Sequence, residues 1–168
     1  MRDRLTALNG LPDDRARAEL LAVCSSPVWA DQMLAGRPYE SVEALMERAD
    51  KAVAELGEAD LDAALAGHPR IGERAGTDHD GRGWSRQEQS AVDGSTPDVR
   101  RALAEGNVAY ERRFGQVYLV NATGKSADEM LAILNRRLGN DPVTERAVVR
   151  DELSKINRIR LTKLLEAT

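Results

Sequence analysis

Aromatic side chains are scarce in this chain of 168 residues, at 4%, and runs of β-branched residues are few, which argues against a core built from sheets. The single cysteine, Cys24, cannot form an intramolecular disulfide, so a disulfide-stapled scaffold is excluded and a reducing compartment is expected. Lying within an apolar helical run, Cys24 reads as a small core residue rather than a nucleophile. No apolar stretch approaches the ~20 residues needed to cross a bilayer. The start Met1-Arg2-Asp3-Arg4 leads into no signal-peptide segment, and Glu166-Ala167-Thr168 is not the Ser-Lys-Leu peroxisomal address, so the cytoplasm is the expected location. A basic surplus is also missing: 24 Lys+Arg against 28 Asp+Glu leaves a net charge of −4. With basic residues scattered among acids, neither a nucleic acid nor a membrane is an expected partner.

What is abundant is Ala, Leu, Arg and Glu, the vocabulary of helices. The punctuation agrees. Pro12-Asp13-Asp14 starts a helix through Cys24, and Ser26-Pro27 starts one that Gly36 stops. Ser41 caps a helix running to Gly57, and Ala59 to Leu65 makes a short one before Gly67. Thr96-Pro97 opens a helix to Phe114, Ser126 with Glu129 forms a capping box for one that Gly139 ends, and Asp141-Pro142 opens the last and longest. Only Val117 to Asn121 reads as extended. Neither repeat nor linker interrupts the pattern, so the chain, residues 1–168, reads as one all-α domain, a bundle of about eight helices. At this length it buries roughly two-thirds of the surface its unfolded chain exposes, enough for a core without a metal.

One stretch breaks the helical pattern. Residues 68 to 84 carry Gly72, Gly76, Gly81 and Gly83, with Gly67 just before, and show no apolar periodicity. Long loops in small domains are usually functional. This one begins at His68-Pro69-Arg70-Ile71-Gly72-Glu73 and leads to Ser85-Arg86-Gln87-Glu88-Gln89. Taken alone, His68 is either a solvated or cap-bonded side chain or a catalytic one, and Pro69 restrains its backbone to an extended conformation that aims the ring reproducibly. Ser85-x-x-Glu88 is a capping box, yet a helix N-terminus also gathers amides and positive dipole charge that would let Ser85, Glu88 and Gln89 line a polar site. At the end of the helix from Pro97, Arg112 and Arg113 complement the dipole, and either guanidinium turned inward would grip a carboxylate or ureido oxygen.

Other chemistries fit poorly. Asp78, His79 and Asp80 have metal-ligand character, but the chain holds two histidines and no second cluster, so no metal site is expected. Gly124-Lys125-Ser126 ends like a phosphate loop, but Leu119 stands where its first glycine is required. No nucleophile elbow is present.

In order along the chain stand Leu8-Asn9-Gly10-Leu11-Pro12, Cys24-Ser25-Ser26-Pro27-Val28-Trp29-Ala30, Gly36-Arg37-Pro38-Tyr39, His68-Pro69 with Ile71-Gly72, Ser85-x-x-Glu88-Gln89, Tyr110-x-x-Arg113-Phe114-Gly115 and Gly124-Lys125-Ser126. Together they resemble the 2-oxo-4-hydroxy-4-carboxy-5-ureidoimidazoline (OHCU) decarboxylases of urate degradation. The resemblance implies an all-helical, cofactor-free, dimeric enzyme that converts OHCU to (S)-allantoin, functionally linked to 5-hydroxyisourate hydrolase. It implies His68 as the proton donor and Glu88 as a substrate contact; a carboxylate beside an imidazole favours the protonated ring, so Glu88 is also expected to serve catalysis. Further substrate contacts would fall on Pro69, Ser85, Gln89 and Arg113, and on the backbone of Gln116 and Val117. This chain departs from the common pattern in reading Gln116-Val117-Tyr118 where many members have Phe-Pro-Phe, and Ser90-Ala91 where Ala-Gly is common. The rival reading is a helical interaction module without turnover. It accounts for the helices but not for the ordered polar set.

Overall fold

The computed structural model describes residues 1–72, 84, 87 and 90–167. Among these residues the regular structure is helical throughout. The helices are α1 (Arg2–Gly10), α2 (Asp13–Val23), α3 (Pro27–Ala35), α4 (Val42–Ala54), α5 (Glu58–Ala66), the single-turn α6 (Ser90–Asp93), α7 (Pro97–Phe114), α8 (Ala127–Arg137) and α9 (Pro142–Glu166). Contacts divide the chain into two compact units, residues 1–67 with 154–168 and residues 68–153.

The helix starts follow local chemistry. Ser26 Oγ accepts from Trp29 N at 3.2 Å, Ser41 Oγ from Ala44 N at 3.1 Å, Thr96 Oγ1 from Val99 N at 3.4 Å and Ser126 Oγ from Glu129 N at 3.1 Å. Each satisfies an amide that the first turn leaves without a helical partner. Asp141 does the same for α9, accepting from Thr144 N at 2.9 Å. The side-chain hydrogen bond from Thr144 holds the Asp141 carboxyl below its usual range.

Two features differ from the sequence reading. Helix α1 lies ahead of the first start signal, Pro12, and has no side-chain cap at its own start, although Gly10 and Pro12 mark its end. Helix α4 ends at Ala54, and Gly57 serves as the N-cap of α5 rather than as a stop. The stretch Val117 to Asn121, read as extended, forms neither a helix nor a ladder. Tyr118, Leu119 and Val120 are instead buried, and Tyr118 donates from its hydroxyl to Met130 O at 2.9 Å.

In the first unit α3 packs on α2, α4 and α5. Trp29 is fully buried and its indole N–H reaches Ala49 O on α4 at 3.2 Å. On α4 the buried residues Leu45, Met46, Ala49, Ala52 and Val53 recur at helical spacing and form its inner stripe. The end of α1 has no basic residue in its last turn, and Arg37 supplies the missing donor from elsewhere, reaching Leu8 O at 2.8 Å and Leu11 O at 2.9 Å. Cys24 is buried, as its apolar surroundings in the sequence suggest, and burial pushes its thiol pKa up, away from reactivity.

The second unit is built on the pairing of α7 with α8. Gly106 makes that approach possible: a Cβ at this position would stand 2.4 Å from Leu134 Cδ2, which is itself fully buried. The core here joins Ile71, Val92, Leu103, Tyr110, Tyr118, Val120, Met130 and Leu134.

Candidate active site

All the sequence-derived site residues within the described chain fall in the second unit. His68 and Pro69 are half-buried and lie just past the end of α5 at Gly67. The next residues are fixed one after another. Arg70 Nε meets Glu111 Oε1 at 2.5 Å and its Nη2 meets Oε2 at 3.1 Å, a two-pronged pair. Ile71 is buried in the core, and its carbonyl accepts from Asn107 Nδ2 at 2.9 Å. Gly72 then takes φ +89, a left-handed conformation that glycine adopts without a Cβ penalty.

The other end of the site is the C-terminus of α7. Gly115 closes the helix at φ +68, with its N–H on Glu111 O at 2.8 Å. The reversal turns the Gln116 side chain back toward the helix it has just left. Gln116 Nε2 donates to the Tyr110 hydroxyl at 3.2 Å, and its Oε1 accepts from Arg146. Val117 is half-buried beside it in the chain. Arg113 donates through Nη2 to Asn140 O at 2.7 Å, and its guanidinium stands 5.0 Å from the Phe114 ring centroid. That bond uses one of the five donors of the guanidinium fork.

Behind these residues lies a buried charge centre that sequence reasoning missed. Glu145 is fully buried and accepts from the Tyr110 hydroxyl at 2.6 Å, from Arg137 Nε at 2.7 Å and from Asn140 Nδ2 at 3.0 Å. Arg137 also donates to Leu119 O at 2.7 Å, and its guanidinium lies 4.9 Å from the Tyr118 ring centroid. Burial alone would lower the Arg137 pKa, but the hydrogen bond and charge of Glu145 outweigh it and the net shift is upward. Tyr110 is pushed well above its ordinary range by burial and by its hydrogen bond to Glu145. One carboxylate thus fixes both Tyr110, three residues before Arg113, and Asn140, whose carbonyl Arg113 holds.

In the sequence, Glu145 reads as a first-turn acid of α9 and Arg137 as a last-turn base of α8, so local dipole rules account for both and conceal their meeting. Ser85, Glu88 and Gln89 lie outside the described residues, as do Asp78, His79 and Asp80. Trp84 is buried and already helical, one position ahead of the expected cap. Among the described residues no group of His, Cys, Asp and Glu is arranged to hold a metal ion, and no helix is long and apolar enough to cross a membrane.

The family model for OHCU decarboxylase matches residues 9–162. The uric acid degradation bifunctional protein TTL of Arabidopsis thaliana is 32% identical over 144 residues, a match covering 84% of this chain but only 44% of that longer protein. The 2-oxo-4-hydroxy-4-carboxy-5-ureidoimidazoline decarboxylase of Haloferax volcanii is 25% identical over 138 residues, 82% of this chain and 81% of that one. Among solved structures, an OHCU decarboxylase crystallised in the presence of (S)-allantoin superimposes with a TM-score of 0.77 at 28% identity, over 89% of this chain and 98% of the other. A match of this extent, in sequence and in fold, settles the family: the chain belongs to the OHCU decarboxylases.

Proposed function

We propose that this chain decarboxylates OHCU to (S)-allantoin in urate degradation, without a cofactor. The observation that carries the reading is the nearly end-to-end family match, residues 9–162, joined to the fold shared with an OHCU decarboxylase solved with (S)-allantoin. In the step itself the bond between the ring carbon and the carboxylate breaks and carbon dioxide leaves. The electron pair stays on the ring carbon and spreads into the substrate's own imine, which takes the place of a pyridoxal or thiamine sink. His68 delivers a proton to one face of the neighbouring carbon that bears the ureido group, which sets its hand; the carbon that lost the carboxylate becomes a carbonyl as its hydroxyl proton leaves to solvent, and His68 regains a proton from solvent. Glu88 favours the protonated imidazole through its negative charge. Arg113 holds substrate oxygens as charge develops. Ser85 and Gln89 orient the ureido arm, Pro69 restrains His68, and the backbone of Gln116 and Val117 completes the pocket.

The same reading places the enzyme in the cytoplasm as a homodimer, working beside a 5-hydroxyisourate hydrolase activity; the plant relative carries the word bifunctional in its name. Following freshly generated OHCU by circular dichroism tests the proposal. Wild-type protein should accelerate allantoin formation and yield one hand, and His68→Asn should lose a hundredfold or more in kcat while its unfolding curve stays in place. Racemic product at the uncatalysed rate from wild-type protein would sink the reading.

A further inference from the structure

Helix α7 carries three residues within two turns that bear on the candidate site from different directions. Asn107 and Glu111 are four residues apart and therefore share one face of the helix. The first holds the carbonyl of Ile71 and the second holds the side chain of Arg70. Arg113, two positions beyond Glu111, ends the same helix and fixes Asn140. The segment bearing His68 and the arginine expected to grip substrate are thus referred to one rigid rod.

The two tethers do different work. Asn107 is buried and Ile71 sits in the core, so this contact is part of the fold. The Arg70 and Glu111 side chains are instead 49% and 29% exposed. An ion pair so open to water contributes little to stability and is screened by salt. Its two prongs nonetheless fix the direction in which Arg70 leaves the backbone, and with it the turn that begins at His68 and Pro69. Glu111 also accepts the Gly115 N–H on its own carbonyl, so the same residue closes the helix end from which Arg113 and Gln116 project.

We propose that Glu111 is a positioning residue for the decarboxylation: through its carboxylate on Arg70 it sets the aim of His68 relative to Arg113. The inference rests on the function proposed above. It assigns no substrate contact to Glu111. A small misplacement of a proton donor costs rate far out of proportion to the energy of the contact that prevented it.

The test uses Glu111→Arg, which sets two like charges against each other, and the swapped pair Arg70→Glu with Glu111→Arg, which restores the attraction. Glu111→Arg should lower kcat about tenfold, with KM within about threefold of wild type and an unfolding midpoint close to it; the swapped pair should recover most of the lost kcat. A second readout needs no turnover. The chain holds two histidines, His68 and His79, so their ring proton resonances can be assigned with His68→Asn alone. Glu111→Arg should move the His68 resonance and leave His79 in place, and the swap should move it back. A wild-type kcat and an unmoved His68 resonance in Glu111→Arg would overturn the proposal, as would a loss that the swapped pair fails to repair. Wild-type protein that does not turn over OHCU would refute the proposed function instead, and the His68 resonance would still decide whether the tether exists.

Discussion

Two acid-arginine pairs serve the candidate site, and water treats them oppositely. The Arg137 and Glu145 side chains meet at 4% and 0% exposure. The Arg70 and Glu111 side chains meet at 49% and 29%. Taking the first pair out of water is costly, and three hydrogen bonds to the carboxylate, from Tyr110, Arg137 and Asn140, offset that cost. Removing one member would leave a charge buried with nothing to offset it. The second pair can be lost at almost no cost in folding, so what it controls is geometry. The helix end that carries the exposed Arg113 is therefore anchored through Tyr110 and Asn140 to a buried charge, whereas the contacts that tie the histidine end to α7 include a buried amide and an open ion pair. The segment that carries His68 can therefore be tuned by surface charge in a way that the helix end cannot.

The sharpest way to break this contrast is Glu145→Ala. It should cost about 3–5 kcal/mol of stability, visible as a lowered denaturant midpoint, whereas Glu111→Ala should shift the midpoint by less than about 1 kcal/mol. Equal losses from the two would dissolve the distinction.

Alkaline pH probes the buried end from another side. The chain has three tyrosines, and burial raises the pKa of all of them, Tyr39 to about 12 and Tyr110 and Tyr118 further. A group whose folded pKa is raised stabilises the fold fully below its unfolded value and loses that contribution as pH climbs through the shift. Stability should hold up to pH about 10 and then fall by roughly 1.4 kcal/mol per tyrosine for each pH unit above it. Phenolate absorbance should appear together with unfolding. Phenolate absorbance rising near pH 10 in protein whose circular dichroism is still native would contradict the burial of these hydroxyls.

Arg113→Lys keeps the charge and the dipole complement but removes the planar fork. Its kcat/KM for OHCU should fall about tenfold, with the midpoint nearly unchanged. Unchanged kinetics would return Arg113 to the sole task of holding Asn140 and make Arg112 the next candidate. The smallest effect expected is none at all: dialysis against a chelator should leave the rate where it was, and a loss restored by one divalent ion would point to a metal in the chemistry.

Much of the helical framework is legible from short stretches of sequence because helix termination is a local problem. Ser26-Pro27, Ser41, Thr96-Pro97, Ser126 and Asp141-Pro142 each satisfy first-turn amides with atoms one to three residues away, so the caps are found where those residues stand. Helix α1 escapes such reading because no side chain caps its start, and Arg37, which serves the carbonyls at its end, lies more than 25 positions along the chain. The candidate site divides the same way. His68, Pro69 and Arg113 are visible as members of ordered motifs, Gln116 and Val117 only by their place after Gly115, where this chain departs from the common pattern, and Ser85, Glu88 and Gln89 are named by the motifs but lie outside the described residues. Nothing local marks Asn107 or Glu111 as tethers, since each is an ordinary helical residue until residues 70 and 71 are brought to it.

By itself, then, the sequence determined the helical class, most helix ends, the absence of a disulfide and the motifs that name the family, all of which depend on composition or on neighbours within a turn. Only the tertiary structure decided that Glu145 is a buried acceptor rather than a dipole-matching surface acid, that Gly106 makes room for Leu134, and that Glu111 reaches the segment bearing His68. The physical reason is that hydrogen bonds and charges between residues distant in the chain carry no periodicity and no spacing rule; they come into being when packing removes the water that either partner could otherwise have used.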